Sequence, residues 1–209
     1  MSSRARRLAP RLLLGLAAFA LAGWGVGEWW LSLVGSADLD AVREVAAQRS
    51  PGVTESARVV TWAGSAYLLV PLALLACLAL IRSGHSREAL AVVLSLAGGM
   101  LLSSWVKLLV ARARPPVEHL QEVSGPSFPS GHATQASAFW LSLAFALRAS
   151  GAPRRVSAAA TALAIVVVVV VAWSRVYLGV HYPGDVAAGI LLGGGWAAFV
   201  AWCLRTPRA

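Results

Sequence analysis

Six long apolar runs separated by polar breaks dominate the chain, at 11–34, 58–81, 88–110, 131–148, 156–174 and 185–204. Each falls within the span of about 17 to 25 residues that a helix needs to cross the hydrocarbon core of a bilayer. The fifth run contains Ile165 followed by Val166 through Val171, which in water would suggest a strand. A lone strand in lipid leaves its backbone groups unpaired, so a helix is predicted there as well. The breaks at 35–57, 82–87, 111–130, 148–155 and 175–184 are too short for an inserted domain. Residues 1–209 are therefore expected to form one all-α domain, a polytopic membrane protein with six transmembrane helices.

Composition reinforces this picture. With 58% hydrophobic and 13% charged residues among 209, the chain has more apolar surface than a single core of its size could hide. A soluble enzyme is disfavoured, and the low charge is the reverse of a disordered chain. Two cysteines cannot build a disulfide framework. Cys77 and Cys203 both lie inside apolar runs with no second thiol or histidine at ligand spacing, so they read as free, buried and inert.

The net charge of +9 could suggest nucleic-acid binding, but the 18 basic residues fall in short clusters between apolar runs. That is the pattern of membrane topology, and no nucleic-acid partner is expected. With the N-terminus inside, the inner side holds Arg4, Arg6, Arg7, Arg11, Arg82, Arg87, Arg148, Arg154, Arg155, Arg205 and Arg208. The outer side holds Arg43, Arg49, Arg58, Lys107, Arg112, Arg114 and Arg175. The excess of basic residues on the first side places both termini in the cytoplasm of a cell-membrane protein. Arg4, Arg6 and Arg7 before 12–20 resemble a signal peptide, with Ala18-Phe19-Ala20 as a cleavage site. The apolar run continues through Leu33, however, and a retained helix is expected. The Arg6-Arg7 pair then serves as an inner anchor.

Other features read as packing or as anchoring at the interface. Ser95, Gly99 and Ser103 recur every four residues, as do Gly189 and Gly193, giving small-residue faces for close helix approach within the chain. Dimerisation through the same faces is the alternative, and oligomeric state is left open. Trp24, Trp29, Trp30, Trp62, Trp105 and Trp173 fall near predicted outer ends and form an interface belt.

Ionisable groups are costly in lipid and mark candidate function there. Lys107, the single lysine, and Arg114 are seven residues apart, two helical turns, so both would leave the third helix on one side. Alone, they could equally be cations reaching out to the interface. The fourth helix, however, opens with Pro129-Ser130-Gly131-His132. Ser is a strong N-cap, Gly leaves its backbone N–H unobstructed, and a helix N-terminus presents unpaired donors to an anion. The fifth helix ends in Ser174-Arg175, followed by His181 and, four residues on, Asp185. A carboxylate beside an imidazole fixes its tautomer and leaves the other ring nitrogen free to attack. Pro183 lies between the two, so a regular helix across both is not assumed.

Three cations, a helix N-terminus and two histidines on one membrane face describe a site that binds a phosphate and transfers it. One histidine would attack phosphorus and the other protonate the departing oxygen. The residues alone do not say which attacks, although Asp185 favours His181. No Asp/Glu cluster suited to Mg²⁺ lies beside them, so no metal and no cofactor is expected.

Lys107 through Arg114-Pro115 fits K-x(6)-R-P, Pro129 to His132 reads P-S-G-H, and Ser174-Arg175 with His181 and Asp185 fits S-R-x(5)-H-x(3)-D. The three motifs resemble those of the type 2 phosphatidic acid phosphatase family of integral membrane lipid phosphatases. All eleven signature letters match in order and spacing across 107–185. The resemblance implies that His181 is the nucleophile forming a phosphohistidine, that Asp185 orients it, and that His132 is the acid for the leaving group. It also implies that Lys107, Arg114, Ser130, Gly131 and Arg175 hold the phosphoryl oxygens.

The expected function is hydrolysis of a lipid phosphate or pyrophosphate at the outer or periplasmic side, with the bilayer and a lipid phosphate as partners. The compact chain resembles bacterial members, which makes undecaprenyl pyrophosphate the leading substrate and phosphatidylglycerol phosphate or phosphatidate the alternatives. Vanadium-dependent haloperoxidases and soluble acid phosphatases share such an anion site, but six lipid-length runs argue against both. A non-catalytic lipid-binding or transport protein on the same scaffold is the remaining alternative, disfavoured by the complete motif set. Arg112, Glu118, His119 and Glu122 could touch a headgroup or a second phosphate, or be solvated loop residues. Glu28 could sit at the interface or line a lipid path.

Overall fold

The computed structural model describes residues 3–205, without the side chains of residues 3–7, Trp30 and Val34. Arg4, Arg6, Arg7 and Arg208 of the inner-side count, and Trp30 of the belt, therefore lie outside the described side chains. Regular structure among the described residues is helical throughout. It runs as α1 (Ser3–Ala47), α2 (Pro51–Val60), a 3₁₀ turn (Thr61–Gly64), α3 (Ala66–Arg82), α4 (Ser86–Val110), α5 (Gly131–Ala149), α6 (Arg154–Tyr177) and α7 (Pro183–Leu204).

Four stretches among the described residues are long and apolar enough to cross a membrane: Leu8–Leu33, Ser86–Val110, Arg154–Tyr177 and Pro183–Leu204. Pro51–Gly64 and Ala66–Arg82, bent by 45° at the break between them, make a fifth if taken together. The bend follows from Ser65, which is extended and caps α3 by accepting from Tyr67 N. The chain is thus an all-helical, multi-pass membrane protein. The valine run of α6 is helical, as the lipid argument required.

α5 does not meet the same apolar criterion, because it carries His132, Thr134, Gln135, Ser137 and Ser142. It lies at the centre of the bundle, packed on α4, α6 and α7. A helix walled in by other helices needs no lipid-compatible face, which leaves it free to carry polar groups.

The region 35–57, expected as a polar connection, is largely helical. α1 continues through it to Ala47. Asp38, Val42 and Val45 are spaced i, i+4, i+7 and form one inward stripe, with Val42 fully buried against Ala133, Ala172, Val176, Tyr182 and Val186. Asp40 and Arg43 pair on the exposed side. A scan for lipid-length runs misses such a segment because only one face is apolar.

The small-residue faces are used inside the chain. Gly189 and Gly193 of α7 lie against the α5 backbone, and Gly99 of α4 against Ala138. A Cβ on Gly193 would stand 2.1 Å from the Thr134 carbonyl oxygen. Since that neighbour is backbone, α5 and α7 would have to separate. Gly193→Ala is expected to destabilise by about 2–3 kcal/mol. Gly25→Ala, where a Cβ would meet nothing within 4 Å, should be neutral or slightly stabilising. Thermal unfolding of the detergent-solubilised pair checks this, and equal midpoints would contradict the close α5–α7 approach.

Candidate active site

The end of α4, the start of α5, the end of α6 and the start of α7 meet at one end of the bundle. Two proline-rich or glycine-containing connections bind them there. In the first, 111–130, α4 stops at Ala111, which is left-handed at φ 49°, and Pro115 and Pro116 keep the chain out of helix. In the second, Gly179 takes φ 76° close to Arg49 and the Glu118 carbonyl, turning the chain from α6 back toward His181.

Arg114 consequently does not lie on the same helix as Lys107, contrary to the two-turn expectation. The two meet because both reach the carbonyls of 124–127. Lys107 Nζ donates to Pro126 O at 2.6 Å and Ser127 O at 3.2 Å. Arg114 donates to Gly125 O at 3.0 Å, Ser124 O at 2.9 Å and, across the site, Val180 O at 2.7 Å. The proximity suggested by helical spacing is delivered instead by a loop folded over two cations.

Ser130 is buried and caps α5, its hydroxyl accepting from Ala133 N at 3.4 Å. Its own backbone N donates to Asp185 O at 2.9 Å, which ties the first turn of α5 to the first turn of α7. Gly131 follows, beside the aliphatic stem of Lys107. His132 is half-buried, makes no hydrogen bond among the described side chains, and lies within electrostatic range of Arg175, His181, Lys107 and Arg114.

His181 and Asp185 do come together. α7 begins at Pro183, so the proline occupies the first turn, where its missing N–H costs nothing. His181 Nδ1 stands 3.4 Å from Asp185 Oδ2 and 3.3 Å from Ser127 Oγ. The same Oδ2 accepts a short bond from Ser127 Oγ and one from Tyr182 N at 3.0 Å. Burial pushes the His181 imidazole down to about 4, with Asp185 opposing the shift through its hydrogen bond and charge. The ring is therefore neutral at pH 7, with Nε2 free of partners among the described residues.

Arg175 is almost fully buried at 1% exposure. Its Nη1 donates to Thr61 Oγ1 at 2.8 Å and Gln121 Oε1 at 2.6 Å, while Nε is buried with no hydrogen-bond partner. A guanidinium with neutral partners and an unspent buried donor is suited to an anion.

Five residues of this constellation escaped the sequence reading in the positions they hold. Ser127 bridges His181 and Asp185, Thr61 and Gln121 steady Arg175, and Asp38 pairs with Arg112. Asp38 left a signal, an acid on the apolar stripe of α1, whereas Thr61 and Gln121 left none. Arg112 is neither solvated nor set toward a headgroup, because it is locked between Asp38 and Asp185. Glu118, His119, Glu122 and Glu28 are all exposed, and His119 bonds only to the neighbouring Pro115 carbonyl. Cys77 is buried and Cys203 partly so, both free.

Comparisons with known proteins point to one family. The PAP2 superfamily model matches residues 88–209. Phosphatidylglycerophosphatase B of Bacillus subtilis is 30% identical over 77% of this chain and 79% of its own. Decaprenylphosphoryl-5-phosphoribose phosphatase of Mycobacterium tuberculosis is 35% identical over 72% of this chain and 80% of its own. The crystal structure of the transmembrane PAP2 type phosphatidylglycerolphosphate phosphatase from Bacillus subtilis superposes with a TM-score of 0.77 at 28% identity. It covers 90% of this chain and 92% of that one. The fold is that of a membrane phosphatase. The chain belongs to the PAP2 superfamily and is a lipid phosphatase of that family.

Proposed function

We propose that this site hydrolyses the terminal phosphate of a membrane lipid through a phosphohistidine, without a metal. His181 Nε2 attacks phosphorus while Asp185 and Ser127 hold Nδ1. The bond from phosphorus to the lipid-side oxygen breaks, and His132 gives that oxygen its proton. Water then attacks the phosphohistidine, His132 takes the water proton, and the P–N bond breaks to release inorganic phosphate. Lys107, Arg114, Arg175, Ser130 and the Gly131 backbone meet the charge on the equatorial oxygens. The observation that carries this reading is the convergence of three cations, the first turn of α5 and two imidazoles at one bundle end.

The substrate class follows from what adjoins that end. A groove of about 200 Å³ between α1, α4 and α7 is lined by Phe19, Gly23, Val106, Phe128, Ala188 and Leu192. Val106 and Pro129, the chain neighbours of Lys107 and Ser130, are part of its lining, which supports a lipid tail in the groove with its phosphate at the cations. An apolar groove of this kind accommodates a polyprenyl chain, and undecaprenyl pyrophosphate is the leading substrate, with undecaprenyl phosphate as product. Phosphatidylglycerol phosphate is the second reading, favoured by the Bacillus subtilis relative and its crystal structure.

In the membrane, α2 with α3 forms one span and α5 the sheltered sixth. Both termini lie in the cytoplasm and the active end faces outward, as the basic-residue bias requires. Residues 1–209 act as one domain. The test is phosphate release by detergent-purified protein, with chelator present, from undecaprenyl pyrophosphate, phosphatidylglycerol phosphate and phosphatidate. Fastest release from the first supports the assignment. Faster release from either of the others, or loss of release on chelation, overturns the corresponding part.

A further inference from the structure

We propose that Arg112 is a positioning residue for Asp185 and that Asp38 of α1 is its anchor; this rests on reading His181 as the nucleophile. Arg112 Nη1 lies 2.7 Å from Asp185 Oδ1 and 2.9 Å from Asp38 Oδ2. All three side chains are withdrawn from solvent, at 10%, 0% and 6% exposure. The guanidinium carbon sits 3.7 Å from the centre of the Tyr182 ring, which fixes the plane of the fork. Asp38 Oδ1 accepts from Gly184 N at 2.9 Å, so the same acid also grips the first turn of α7.

The division of labour on Asp185 is what gives Arg112 its role. Oδ2 faces His181 and takes the Ser127 hydroxyl and the Tyr182 amide. Oδ1 has Arg112 as its hydrogen-bond donor, and no second one among the described residues. A carboxylate torsion is broad and nearly two-fold, so side-chain sterics alone do not fix its plane. The charge-assisted bond on Oδ1 does, and it keeps Oδ2 against Nδ1. Asp38 in turn keeps Arg112 from reaching into the phosphate seat, where a fourth cation would bind substrate without aiding the leaving group. The outer extension of α1, remote from the three motifs in sequence, is thereby part of the catalytic apparatus.

The test uses the full-length protein in detergent and p-nitrophenyl phosphate, a soluble probe that needs no lipid groove. Arg112→Ala is expected to lower kcat by about 10- to 100-fold with KM unchanged, as loss of an orienting neighbour does. Millimolar guanidinium should restore much of that loss while leaving the wild type unaffected. Asp38→Asn should lower kcat in the same direction by a smaller factor. Since Arg112→Ala leaves a buried acid unpaired and can unfold the protein, Arg112→Met combined with Asp38→Asn removes both partners together. A lowered kcat at wild-type Tm in that double variant supports the role. Wild-type kcat, a rise in KM alone, or a loss that guanidinium does not relieve in a folded variant overturns it. His181→Ala is run alongside. Turnover by that control overturns the nucleophile reading, a failure separate from wild-type behaviour of the Arg112 variants beside a dead His181→Ala.

Discussion

His181→Ala is expected to stop phosphate release from lipid and aryl substrates alike, by at least about 10⁴-fold. In the proposed mechanism the residue supplies the attacking atom, so a better leaving group cannot compensate for its loss. Its surroundings favour that work, since burial holds the imidazole neutral at pH 7 while Ser127 and Asp185 occupy Nδ1. His132→Ala should behave differently. The alkoxide leaving group of phosphatidate or phosphatidylglycerol phosphate needs a proton to depart, whereas a nitrophenolate, like the phosphate monoester expelled from a pyrophosphate, does not, so this variant should lose far more activity on those two lipids than on p-nitrophenyl phosphate. The second step still requires a base for water. His132→Ala given the aryl substrate should therefore accumulate an alkali-stable, acid-labile phosphoenzyme after a burst of nitrophenol. Equal losses on both substrate kinds would refute the acid role, and normal turnover by His181→Ala would refute the nucleophile.

Arg175→Ala should cost about 10²- to 10³-fold in kcat/KM, the usual consequence of removing one donor aimed at developing charge. Nη1 is taken up by Thr61 and Gln121, which hold the guanidinium in place and leave its remaining donors for the phosphoryl group. Arg175→Lys should recover little, because one ammonium cannot keep both neutral partners and a phosphoryl oxygen in the geometry of a planar fork. Vanadate resembles the five-coordinate transition state, so its affinity should fall by nearly the same factor as kcat/KM. Parallel kinetics and vanadate inhibition on the variant check this. Unchanged vanadate affinity would show that Arg175 faces away from the phosphoryl group.

Much of this was legible in the order of residues. The apolar runs predicted α4, α6 and α7 closely because lipid-length hydrophobicity is a local property, countable without knowing any neighbour. Helix-end chemistry is equally local, so the Ser130 cap could be anticipated, whereas Pro183, read as an obstacle ahead of a helix beginning at 185, is the first residue of α7. The ordered motifs from Lys107 to Asp185 identified the family, since their spacing encodes which helix ends must meet. α5 could be recognised as helical but not as central, because shelter from lipid depends on what surrounds a helix.

What tertiary structure decided was the company each charged group keeps. The sequence placed Lys107 and Arg114 on one helix face, but a left-handed residue at Ala111 ends the helix and the 124–127 carbonyls reunite them. Arg112 looked like a loop residue because its partners lie 74 and 73 positions away. Thr61 and Gln121 carry no local mark of contact with Arg175. Apolar periodicity and helix caps are set by neighbours in the chain, and the sequence alone determined those. Hydrogen bonds between distant side chains depend on how the bundle closes, which only the folded protein decides.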